Sequence, residues 1–162
     1  MPSSNRHGMH VVVITFLVAL TLTVIPLPDW ARHFRPDFLG LVLIYWCMAI
    51  PNRVGVGVGW TLGLIMDVLH GALLGQYALA MALTAFVTLN THRRVRVFPL
   101  WQQSLVVLLI LWLQHAVTLW IRGIIGQAPD TWYYWATPVV SMVLWPWVFV
   151  ALRDLRRRHK VS

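Results

Sequence analysis

Glutamate is missing from this 162-residue chain and lysine occurs once, so thirteen basic residues, twelve of them arginine, stand against five aspartates. Charged residues make up only 11% of the sequence, where a soluble domain has about a quarter. Too few charges are present to cover a water-facing surface. The absence of Glu also excludes a His-Glu-x-x-His metal helix, and Asp67 has no second acid in the apolar runs with which to form a carboxylate dyad. There is no Gly-x-Ser-x-Gly elbow and no glycine-rich phosphate loop ending in Lys-Ser/Thr. Ser104, Ser141 and His115 have no spacing that argues for an activated nucleophile. The single cysteine, Cys47, has no second thiol to bridge or to complete a metal site, and reads as a small core hydrophobe. Enzyme chemistry is therefore not expected, and neither is a cofactor.

What is there is hydrocarbon. The sequence is 59% hydrophobic and carries ten tryptophans, with its apolar residues in runs rather than spaced at a helical period. Six stretches stand out: Met9–Ile25, Phe38–Ile50, Val54–Leu69, Leu73–Leu89, Gln103–Ile121 and Ala136–Leu152. Backbone groups in lipid must be satisfied within the segment, and nothing alternates with period two, so the expectation is helices. The fold class is an all-α integral membrane protein, a compact bundle of about six transmembrane helices. The second stretch is short for a core about 30 Å thick, which leaves five spans plus a re-entrant segment as the alternative. Arg6, His7 and the first run resemble a signal peptide, but "PLPDWARHF" offers no small-x-small cleavage site, so a retained first span is expected. Residues 1–8 are then a short cytoplasmic N-terminus, 9–152 one bundle and 153–162 a basic cytoplasmic tail.

Arginines cluster at the ends of the runs, a pattern of membrane orientation; nucleic acid is not expected as a partner. Six spans with the N-terminus inside put ten basic residues on the cytoplasmic side and Arg32, Arg35 and Arg122 outside, satisfying the positive-inside rule. Trp30, Phe34 and "WYYW" from Trp132 to Trp135 fall at the outer boundary and Trp101 at the inner one, where amphipathic rings belong. Pro146, inside the last run, predicts a kink. The cytoplasmic Arg93, Arg94 and Arg96, together with Arg153, Arg156, Arg157 and Arg158 of the tail, are candidate basic contacts for a partner, and the tail alone is also placed to meet anionic lipid.

Within the third run, Gly55, Gly59, Gly63 and Asp67 recur every fourth position and so share one helix face. Small residues at this spacing let helix backbones approach closely in lipid. The face is a candidate packing or partner interface, with internal packing the commoner use of such a pattern. An acid at mid-bilayer costs about 2.5–3.5 kcal/mol, so Asp67 needs a reason to be there. It is a paired or protonated structural acid, a contact for another subunit, or a step in an ion path. His70 and His115 are the candidate partners for it.

The blocks Arg35-Pro36, Tyr45-Trp46, Pro51-x-Arg53, the glycine-rich span ending in Asp67, Leu74-Gly75, Leu100-Trp101-Gln102-Gln103 and Leu144-Trp145-Pro146-Trp147 occur in an order that resembles the MreD family of rod shape-determining membrane proteins. The resemblance implies a non-enzymatic component of the bacterial cell-elongation machinery that builds peptidoglycan. It would be a multi-pass protein of the inner membrane with its C-terminus in the cytoplasm. The implied partners are MreC and, through it, MreB, RodA and a class B penicillin-binding transpeptidase, together with membrane lipid. It also implies a bundle similar to the substrate-binding subunits of energy-coupling-factor transporters, an analogy of fold alone. The alternative is a small-molecule binding or transport subunit, which predicts a polar-lined cavity drawing on Asp67, His70, Gln76, Gln114 and His115.

Overall fold

The computed structural model describes residues 3–26, 28, 35–51, 53–71, 74–126 and 135–158. Six helices follow one another: α1 (Ser3–Val24), α2 (Phe38–Ala49), α3 (Val56–His70), α4 (Gln76–Val95), α5 (Leu100–Ile124) and α6 (Ala136–Arg158). Among the described residues there is no strand. Trp30, Phe34, the Trp132–Tyr134 part of the aromatic rim, Arg32 and Lys160 lie outside the described residues.

Several helices outrun the apolar stretches that announced them. α1 begins at Ser3 within the expected N-terminal segment, α4 continues through Asn90, His92 and Arg94, and α6 carries on to Arg158. Hydropathy marks where a segment stops being soluble in lipid, whereas backbone hydrogen bonding continues into polar residues that tolerate a helix. Residues 153–158 of the basic tail are thus the last turns of α6. That helix also passes through Pro146 without interruption.

The short second stretch has the central place. Ten consecutive residues of α2, Leu39 to Met48, are buried. At about 1.5 Å per residue its twelve residues are roughly 18 Å long. A helix apolar on every side belongs inside a core, and α2 packs against α1, α4, α5 and α6. Its length is suited to being enclosed by longer neighbours. The most extensive pairing in the molecule is α3 with α4, followed by α4 with α5 and α5 with α6.

Two of the deep tryptophans, Trp46 and Trp145, are fully buried in this core. Their indole N–H groups are satisfied across helices: Trp46 donates to Thr15 Oγ1 on α1 at 2.9 Å, and Trp145 to Gln103 Oε1 on α5 at 3.4 Å. Trp60, Trp112 and Trp147 instead face outward. Hydroxyls follow the same economy. Thr88 and Thr118 each donate to the carbonyl four residues back, which hides a polar group without a partner helix.

The outward faces are apolar too. On α1, Val11, Val12, Phe16 and Ala19 are buried, while Val13, Ile14, Leu17 and Val18 are about half exposed. A helix at a water surface would put polar residues on that second face. Leu105, Leu109 and Trp112 line an equivalent exposed row on α5. α5 and α6 are each long and apolar enough to cross a membrane. These features are consistent with a membrane protein.

Candidate functional site

The α3–α4 hairpin explains the buried acid. Asp67 lies in the last turn of α3 and is 1% exposed. Its Oδ2 accepts the backbone N–H of Gly75 at 2.8 Å and of Ala78 at 3.4 Å, and its Oδ1 accepts that of Tyr77 at 2.8 Å. Those amides form the first turn of α4, whose donors have no partner within their own helix. The carboxylate therefore caps the following helix and faces the positive end of its dipole. Charge-assisted bonds of this kind contribute about 1.5–3 kcal/mol each, enough to offset the cost of the acid. Glycine makes the turn possible at both ends: Gly71 has φ 62° and Gly75 φ 103°, left-handed values that side chains resist.

The candidate partners for Asp67 need correction. The Nδ1 of His70 lies 3.0 Å from the Met66 carbonyl oxygen, and that of His115 lies 2.9 Å from the Leu111 carbonyl oxygen. Each is a contact within the imidazole's own helix, and the carboxylate is taken up by main-chain amides instead. Sequence spacing shows side chains that share a face, but it does not show the start of the next helix folding back onto that face.

The glycine face meets α4. A Cβ on Gly63 would lie 2.3 Å from Ala78 Cα, and one on Gly59 would lie 2.7 Å from the Met81 carbonyl oxygen. Gly55 is looser, with Leu89 Cδ1 at 3.5 Å, and Gly57 on the opposite face meets nothing within 4 Å. Of the two uses left open for this face, the structure fills it with a helix of the same chain.

Three other charged residues sit at helix ends in the same manner. Asp37 Oδ1 accepts the Gly40 N–H at 3.0 Å and caps α2. Arg35 donates to the carbonyls of Thr23 and Ile25 at the end of α1. Arg96 donates through Nε to the Met48 carbonyl at 2.7 Å, closing the C-terminus of α2. Acids stand at N-termini and arginines at C-termini, each opposite the dipole it complements.

Around Asp37 a polar chain crosses the bundle. Gln114 Nε2 donates to Asp37 Oδ2 at 2.7 Å, Thr84 Oγ1 donates to Gln114 Oε1 at 2.8 Å, and the Asp37 N–H donates to Ser141 Oγ at 2.8 Å. This links α2, α4, α5 and α6. It borders a cavity of about 280 Å³ at the end of the bundle away from the arginine-rich segments, lined among others by Arg35, Asp37, His70, Gln114, His115 and Arg122. Arg122 donates to the Tyr77 hydroxyl at 3.1 Å on its rim. The cavity gathers His70, Gln114 and His115 but leaves out Asp67 and Gln76.

Asp37 and Arg35 were not singled out from the sequence as site residues. Pro36-Asp37 ahead of Phe38 does carry a readable N-cap signal, whereas no local pattern ties Arg35 to the end of α1. The arrangement is suited to holding polar groups. Among the described residues no group of three His, Cys, Asp or Glu side chains is placed to hold a metal. The arginine candidates divide. Arg93, Arg94, Arg157 and Arg158 are exposed, while Arg153 and Arg156 are half-buried on one face of α6.

The family model described as "rod shape-determining protein MreD" matches residues 4–155. The "Rod shape-determining protein MreD" of Haemophilus influenzae (strain ATCC 51907 / DSM 11121 / KW20 / Rd) is 33% identical over 146 residues, covering 90% of both chains. No solved structure matches the chain. A match over nearly the whole length, on a helical bundle whose few charges close helix ends, makes this chain a member of the MreD family of rod shape-determining proteins.

Proposed function

We propose that this protein is a non-enzymatic component of the cell-elongation machinery. It crosses the inner membrane six times with its C-terminus in the cytoplasm, and holds partner membrane proteins, MreC first and through it MreB, RodA and a class B penicillin-binding transpeptidase. The carrying observation is membership of the family, which supports a role in rod-shape determination. The geometry agrees with a scaffold: Asp37, Asp67, Arg35 and Arg96 are committed to helix ends. The fold analogy with energy-coupling-factor substrate-binding subunits belongs to this reading and rests on the family resemblance.

With Gly59 and Gly63 packed on α4, a partner helix would meet another face. The groove between α1 and α6 suits it, with Ile14, Val18, Leu22, Val148 and Leu152 among its lining residues. Its Thr15 hydroxyl is already engaged with Val12 and Trp46, so the groove offers a partner only apolar surface. Co-purification from gently solubilised membranes tests the proposal, with cysteine cross-linking from Val18 and Val148 locating the contact. Recovery of wall-elongation proteins supports it. Their absence, with normal insertion of the chain, overturns it.

A second reading, small-molecule binding, is favoured by the cavity of about 280 Å³ and its two arginines, two histidines and Asp37. Co-purifying transporter ATPases and a saturable ligand would support that reading over the first.

A further inference from the structure

At the arginine-rich end a second cleft, about 310 Å³, opens between the C-terminus of α2, the start of α5 and the last turns of α6. Tyr45, Arg96, Gln103, Phe149 and Arg156 line it, and no acid does. Tyr45 is 2% exposed, and its hydroxyl is buried without a hydrogen-bond partner. Its ring packs edge-on against Trp46 at 5.2 Å and Phe149 at 5.7 Å. A buried polar atom left unpaired is costly, and an unpaired hydroxyl lining a basic cleft points to a missing acceptor.

The cations around it point the same way. Arg156 has no hydrogen-bond partner among the described residues. Arg96 is anchored through Nε and Nη2 to the end of α2, which leaves Nη1 unused. Arg153 lies over the Phe149 ring at 5.7 Å with its own Nε buried and unpaired. The charges of Arg153, Arg156 and Arg157 all act on the Tyr45 hydroxyl, and the opposing acid, Asp154, is exposed.

We propose that this cleft binds the phosphate of an anionic phospholipid, with the Tyr45 hydroxyl and the Arg156 and Arg96 guanidiniums as donors. A phosphate ester supplies several acceptor oxygens to a cluster that holds only donors. The source is lipid because the cleft lies where α6 passes from its exposed Val139, Val143 and Trp147 into Arg153, Arg156, Arg157 and Arg158, beside Arg93, Arg94 and Arg96 at the end of α4, and basic pockets between spans at that depth take lipid headgroups. Gln103 is not a ligand: its Nε2 donates to the carbonyls of Val95 and Phe98, shaping the wall. The proposal does not depend on the partner reading above.

The test is native mass spectrometry of the full chain in detergent, titrated with phosphatidylglycerol, cardiolipin, phosphatidylcholine or inorganic phosphate. Retention of the anionic lipids over phosphatidylcholine is expected. Arg156→Gln should weaken that retention about tenfold, the loss of one charge-assisted contact. Tyr45→Phe keeps the ring packing and should weaken it severalfold, while Arg94→Gln, exposed and outside the cleft lining, should not. Equal retention by wild type, Arg156→Gln and Tyr45→Phe would overturn the site. So would inorganic phosphate binding as tightly as the lipids, since the source would then be a free anion.

Discussion

Gly63 and Ala78 bring two helix backbones together with no room for even a methyl group between them: a Cβ on the glycine would stand 2.3 Å from the alanine Cα. The contact lies one turn from the Asp67 cap, so close approach and capping hold the same hairpin shut. The two devices depend on each other, because the carboxylate reaches the amides of α4 only while the helices are this near.

We predict that Gly63→Ala will cost more than about 3 kcal/mol, the upper range for overpacking, since the obstacle is main chain and cannot swing aside. Gly57→Ala, facing open space, should be neutral or stabilising by up to about 1 kcal/mol, the helix-propensity difference. Unfolding by SDS titration from mixed micelles gives both numbers. Equal effects at the two positions would mean that the face is not packed as described.

Asp67→Asn should be milder than Asp67→Leu, though not harmless. Asparagine keeps one acceptor toward α4 and turns an NH₂ toward donors that had a carboxylate oxygen. Losses of about 1–2 kcal/mol for Asn and above about 3 kcal/mol for Leu are expected from one and from all of these bonds. Stability and rod-shape complementation measured together would show whether function follows the cap. Normal stability with lost function in Asp67→Asn would return the acid to an active role.

Gln114 is expected to couple to Asp37 and to Thr84 and to nothing on α3. Gln114→Leu leaves the half-buried Asp37 Oδ2 without the amide that donates to it at 2.7 Å and should cost about 1–2 kcal/mol, the loss of one bond to a charged acceptor. A double-mutant cycle with Thr84→Val should show a coupling of at least about 0.5 kcal/mol. Additive losses would argue against a continuous chain of bonds.

Arg96→Ala should lower stability by about 1–2 kcal/mol by uncapping the carbonyls of Met48 and Ala49, whereas the neighbouring exposed Arg94→Ala should change it little. Arg96→Lys should recover only part of the loss, since an ammonium lacks the fork of donors that spans two carbonyls.

Six helices and the packing value of the glycine face were legible because both are written locally, in runs and in spacing. The reason for Asp67 was not. Its partners are main-chain amides, invisible in a sequence, and they come from a helix that must first fold back. The scarcity of Asp67 announced a function or a price, while histidines three residues away or on another span offered a distraction. α2 was legible only in part: its apolar run reads as short for lipid, while its enclosure by α1, α4, α5 and α6 is written in those neighbours and not in its own residues. Similarly, the "tail" was read from charge, and charge does not report where backbone hydrogen bonding stops.

The donors that satisfy Asp67 lie eight to eleven residues further along the chain. During synthesis α3 would therefore present a bare carboxylate to the bilayer until the next helix begins to wind. The pair has reason to enter the membrane together, as one folded unit leaving the translocation channel, with the acid acting as the latch that releases it.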